Sequence, residues 1–126
     1  MERFLQRKSD FTKAVISLKQ GLLEPESEIV IDGILHRFEF TFELSWKLLK
    51  DYLEYNGIIN NIGSPREIIK CAYKEGIIKD GDVWIDMMLS RNLLSHLYSE
   101  ENSRKIYLKI KNEYIKEFEN LITSFR

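Results

Sequence analysis

Arg91, Asn92, His96 and Tyr98 fall within the stretch RNLLSHLY, where an apolar helical pattern runs out. An arginine fork can neutralise phosphate oxygens in bidentate fashion. A histidine, which titrates near neutral pH, can take a proton from a ribose 2′-hydroxyl and return one to the leaving oxygen without a metal. These residue types suit a phosphodiester substrate. A plainer reading uses the same side chains: basic residues near a helix C-terminus favour the helix dipole, and Leu97 and Tyr98 pack beside a turn. Spacing alone leaves both readings open. In a regular helix, His96 lies about 140° round from Arg91. The two converge if the helix ends between them, as Ser95 and a capping Ser99 allow, or if each motif meets its twin across a two-fold dimer.

Other chemistry has less support. His36 and His96 are distant in sequence, and no H-x-x-x-H or E-x-x-H pair occurs. The lone Cys71 has no partner for a thiolate site or an internal disulfide, so neither a metal nor a cofactor is expected. Glu39 and Glu43 can share a helical face, yet with Lys47 following they read as a solvated stripe, Glu43 pairing with Lys47 one turn on. His36 reads as a helix-surface or interface residue. No glycine-rich phosphate loop is present.

Composition sets the frame for these residues. With 126 residues, 44% of them apolar and 31% charged, the chain is expected to form one domain over 1–126 with a real core. A net charge of −1 gives no global pull toward nucleic acid or anionic membrane, so any RNA contact must come from a local patch or an assembled surface. The opening MERFLQRKSD is charged throughout, unlike a signal peptide, and no apolar run approaches the roughly 20 residues of a membrane span. A cytoplasmic location is the simplest expectation.

The elements that must position the motif read as helices. Phe4, Phe11, Val15, Leu18 and Leu22 form one stripe over about 2–23. A second and longer helix, roughly 28–56, carries Ile31, Leu35, Phe38, Phe42, Leu49 and Tyr52, widened by Phe40, Leu44 and Leu48. So wide a face suits a central helix touched on several sides; Glu39, Glu43, Lys47, Lys50 and Glu54 mark its wet side. Asn56-Gly57 stops it. In SPRE, Ser64 caps, Pro65 takes the first helical position and Glu67 completes a capping box, opening a short helix that ends near Gly76. Asp80 or Asp82 caps a fourth helix holding Val83, Trp84, Met87, Met88 and Leu89, in which Asp86 offers local support. Ser99 caps the last, with Ile106, Ile110, Tyr114, Phe118, Leu121 and Phe125 as its stripe. The pattern predicts an all-α, up-and-down four-helix bundle with an additional short helix.

HRFEFTFELSWKLLKDYL (36–53), SPREIIK and WIDMMLSRNLLSHLY (84–98), in that order, resemble the nucleotidyltransferase substrate-binding proteins of the HEPN superfamily, which include the HepT-like toxins of HEPN/MNT toxin–antitoxin pairs. The resemblance implies a four-helix bundle that pairs as a homodimer and works beside a cognate minimal nucleotidyltransferase. In toxin members, the Arg and His of the R-x4-H-x-Y motif belong to a metal-independent RNase site at the dimer cleft. They correspond here to Arg91 and His96, with Asn92 as the polar residue after the Arg. Tyr98 matches the tyrosine onto which the partner enzyme transfers AMP to silence the toxin. The resemblance also admits a non-catalytic subunit that binds a nucleotide or substrate for that enzyme. A scaffold that only dimerises is the third reading.

Overall fold

The computed structural model describes residues 1–60, 63–97 and 99–125, and all regular structure among them is helical. Helices α1 (Glu2–Leu22) and α2 (Glu28–Tyr55) form a long hairpin, followed by a short α3 (Pro65–Lys74) and by α4 (Gly81–Leu93). A single 3₁₀ turn (Leu94–His96) leads toward α5 (Glu100–Lys109), a π turn (Ile110–Tyr114) and α6 (Ile115–Ser124). Helix α2 touches α1, α3, α4 and α5, and α1 also meets α6. The wide apolar face of α2 is thus the centre of an up-and-down bundle, with α3 as the additional short helix.

Local chemistry sets the boundaries. Ser27, Ser64, Asp80 and Ser99 each accept a backbone N–H from the first turn of α2, α3, α4 and α5, satisfying a donor the helix cannot use itself. The Ser64 hydroxyl also meets the Glu67 carboxylate at 2.9 Å, tightening the start of α3. Helices α2 and α3 end alike. Gly57 and Gly76 take φ of 69° and 77°, and the residue after each returns its N–H to Leu53 or Ala72 at 2.9 or 3.0 Å, the Schellman pattern. Asp80 rather than Asp82 caps α4.

Aromatic side chains join the helices at mid-height. Phe38 of α2 stacks on Tyr114 at 5.4 Å, and Phe118 meets both Phe11 and Trp84 edge-on at 5.8 and 5.9 Å. All five are essentially fully buried. The last helix shows why the π turn exists. Ile106, Ile110, Tyr114 and Phe118 recur at a strict four-residue spacing and are all buried. In an ideal α-helix each such step would drift about 40°, walking the stripe off the core. The widened π turn reduces the advance per residue and brings Phe118 back onto the face of Ile106.

Two expectations about the buried faces need correction. Phe40 does not widen the buried stripe of α2; it is 59% exposed, lining an open groove between α1 and α2 that no other helix among the described residues fills. Leu89 of α4 is also exposed. The final helix, read as one uniform α-helix, is interrupted by the π turn.

Candidate functional site at the end of helix α4

Arg91 sits in the last turn of α4, half-buried against α2. Its Nε donates to Glu43 Oε1 at 2.8 Å, and its Nη1 lies 3.9 Å from Glu39 Oε2. The second oxygen of Glu43 accepts from Trp46 Nε1 at 3.1 Å. Glu39 and Glu43 are therefore the carboxylate bed of Arg91 rather than a purely solvated stripe, and Glu43 turns to Arg91 instead of to Lys47.

Just N-terminal to Arg91, α4 is fastened to the π turn. Ser90 Oγ and Tyr114 Oη are 2.7 Å apart, Tyr114 Oη donates to Asp86 Oδ2 at 2.5 Å, and Lys109 Nζ reaches that carboxylate at 3.2 Å. Burial, then the bond to Asp86, pushes the Tyr114 phenol well above the usual tyrosine range, so it remains a neutral donor. Asp86 supports more than its own helix: it links α4 to α5 and to the π turn. This array fixes the rotation of α4 and hence the direction in which Arg91 leaves it.

The helix does end between Arg91 and His96, the condition under which the two were expected to converge within one chain, but no contact between them follows from it. The chain is α-helical through Leu93 and then tightens into the 3₁₀ turn. A 3₁₀ turn advances about 120° per residue against about 100° in an α-helix, which carries His96 further round rather than back over Arg91. Asn92 and His96 are exposed, and among the described residues no hydrogen bond joins His96 to Arg91. One protomer therefore presents a half-buried cation and, beyond it, an exposed imidazole and amide. Tyr98 lies outside the described residues.

A family model described as nucleotidyltransferase substrate binding protein like matches residues 6–126. The chain belongs to this family. Over 86 residues it is 33% identical to a Haemophilus influenzae protein named probable ribonuclease HepT, a match spanning 66% of this chain and 59% of that relative's length. A crystal structure of a Thermus thermophilus protein superposes with a TM-score of 0.84 at 30% identity, covering 92% of this chain and 98% of that one. A Haemophilus influenzae structure, described as revealing the fold of a substrate-binding domain of a nucleotidyltransferase, gives a TM-score of 0.82 at 26% identity over 93% and 97% of the two chains.

In this member of the family, an acidic groove of about 370 Å³ flanks the segment after His96, lined by Glu26, Glu28, Asp32, Leu97, Glu100 and Arg104 among others. The Glu100 charge pushes the Glu28 carboxyl up, while the hydrogen bond from Arg104 holds Glu26 below the usual carboxylate range. A polyanion is repelled from that side. His36 is exposed on α2, on the rim of a larger groove of about 580 Å³ between α1 and α2. Among the described residues no helix is long and apolar enough to cross a membrane.

Sequence reasoning missed Trp46, Ser90 and Tyr114 as supporting residues. Trp46 three residues after Glu43 was a local signal, since such pairs share a helix face. The Ser90–Tyr114 contact joins distant segments and left no local trace.

Proposed function

We propose that the protein is a HEPN-type toxin, a metal-independent endoribonuclease restrained by a cognate minimal nucleotidyltransferase. The observation that carries this reading is the placement of Arg91: a guanidinium gripped at Nε by Glu43, with an exposed Asn92 next to it and an exposed His96 in the turn that ends the helix. The named ribonuclease among its relatives supports it. In this reading Arg91 binds the scissile phosphate through its terminal nitrogens. His96 takes the proton of the ribose 2′-hydroxyl, the 2′-oxygen bonds to phosphorus as the bond from phosphorus to the 5′-oxygen breaks, and the imidazolium returns its proton to that leaving oxygen, giving a 2′,3′-cyclic phosphate. Asn92 hydrogen-bonds the substrate or orients a neighbour. Among the described residues Arg91 pairs with Glu43 and Glu39 and not with His96, so in this reading the active unit is a homodimer in which one chain's Arg91 works near its partner's motif. AMP attached to Tyr98 would block that cleft with bulk and negative charge.

One observation favours a second reading. Glu39 and Glu43 already balance the Arg91 charge, which suits a non-catalytic subunit that grips a nucleotide or substrate for its partner enzyme. The description of the second structural relative agrees with that role. The deciding experiment is incubation of total RNA and tRNA in EDTA with protein shown by intact mass to lack AMP. Cleavage lost in Arg91→Ala and in His96→Ala supports the nuclease. Intact RNA with unmodified wild type rejects it and favours the binding subunit.

A further inference from the structure

Glu39 and Glu43 lie one turn apart on α2 and both approach Arg91, but they hold it differently. Glu43 is tied at both oxygens, one to Arg91 Nε at 2.8 Å and the other to Trp46 Nε1 at 3.1 Å. Glu39 stands 3.9 Å from Arg91 Nη1, beyond hydrogen-bond reach, with its side chain 41% exposed. We propose that Glu43 is a positioning residue that fixes Arg91 for a phosphate ligand, and that Glu39 is the displaceable counter-ion on the edge where that phosphate arrives. The inference rests on the reading that Arg91 receives a phosphate, and it assigns opposite roles to two residues of the same charge.

The asymmetry follows from the shape of guanidinium. Its five N–H donors form a rigid fork, and a phosphate is held best by two parallel bonds. Glu43 binds at Nε, the root of the fork, so it restrains the long flexible side chain without covering the outer edge between Nη1 and Nη2. Trp46 in turn prevents Glu43 from swinging away. Glu39 faces Nη1 on that outer edge, where it neutralises the cation while the site is empty and competes with an arriving phosphate. Its exposure, and the lack of a hydrogen bond to it among the described residues, make it easy to displace.

Glu39→Gln and Glu43→Gln change the net charge by the same amount, so general attraction for a polyanion moves both variants the same way. Opposite movement is diagnostic. The probe is a fluorescent 2′-O-methyl oligoribonucleotide, which keeps the phosphates but lacks the attacking hydroxyl, titrated by anisotropy with AMP-free protein. Cleavage of the unmodified oligonucleotide is measured in parallel. Glu39→Gln is expected to tighten binding about two- to fivefold, the scale of an exposed ion pair removed from competition. Glu43→Gln is expected to weaken binding and to slow cleavage about tenfold or more, because Arg91 loses its fixed aim. Trp46→Phe, which changes no charge, is expected to follow Glu43→Gln to a smaller extent.

Tighter binding by both Gln variants overturns the proposal, since charge alone would then account for the data. Wild-type behaviour of Trp46→Phe together with Glu43→Gln overturns it too. If Glu43→Gln fails to fold by circular dichroism, Trp46→Phe decides, and unchanged binding there overturns it. Opposite shifts in binding with no cleavage by wild type uphold the positioning role while rejecting the nuclease. Cleavage by wild type with no difference between the Gln variants does the reverse.

Discussion

Replacing Tyr114 with Phe removes one oxygen and little else. Tyr114 is fully buried, and the ring remains stacked on Phe38. What disappears is the donor to Asp86 and the contact with Ser90. A hydrogen bond to a charged group contributes about 1.5–3 kcal/mol and a neutral one about 1 kcal/mol. Asp86 keeps Lys109, which offsets part of the loss. The expected destabilisation is therefore about 2–4 kcal/mol. For a chain of 126 residues, an unfolding entropy of about 2.1 cal/mol/K per residue makes each kcal/mol worth about 4 °C, so Tm should fall by about 8–15 °C at neutral pH. Ser90 is buried and would be left without its partner, so adding Ser90→Ala to the Phe variant should recover about 1 kcal/mol.

Alkaline pH supplies a second handle on the same residue. The folded phenol is raised above its unfolded value of about 10, so its contribution is fully present below about pH 10 and is lost as pH rises toward the folded value. The gap between wild type and Tyr114→Phe should therefore narrow above pH 10 in thermal melts followed by circular dichroism. A variant melting within about 2 °C of wild type at pH 7, with a gap that does not change at high pH, refutes the claim that this network fastens α4.

Three further outcomes test other links. Ser64→Ala removes the capping box of α3 and should cost about 1 kcal/mol, seen as a lower Tm and as faster amide exchange confined to 65–74. Gly57→Ala and Gly76→Ala should each cost about 1–2 kcal/mol by urea denaturation even though an added Cβ meets nothing within 4 Å, because the cost lies in the left-handed backbone. Arg104 holds Glu26 below the usual carboxylate range, so this pair contributes stability above that range that is lost as pH falls through the lowered value; Arg104→Ala should flatten the acid limb of a melting profile.

The sequence was most legible where the information is local. Ser64, Asp80 and Ser99 announce helix starts, Gly57 and Gly76 announce ends, and the stripe of α2 identifies the central helix; Ser27, which caps α2, went unread. These follow from hydrogen bonds between near neighbours and from a single period. Phe40 was misread because a wide apolar face has no sharp edge, and only the tertiary packing decides which flank is left in an open groove. Glu43 was assigned to Lys47 because that pair is local, whereas its structural partner, Arg91, is 48 positions away. The residues of the candidate site could be picked out by type, but their mutual geometry depends on a 3₁₀ turn that no periodicity encodes.

The π turn has a consequence for how this chain can change length. A straight α-helix joining the same two flanks would need one residue fewer, so the segment 110–114 holds a surplus position within an otherwise continuous rod. Removing exposed Asn112 would return the turn to α geometry while leaving Ile106 and Phe118 facing the core. The same deletion at Asn120 would turn everything downstream by about 100°. Helix length can thus vary by one residue here without altering the bundle. Tyr114 would then follow Ile110 by three positions, still on the buried stripe but turned relative to Asp86, so a shortened variant should keep the fold and loosen the grip on α4.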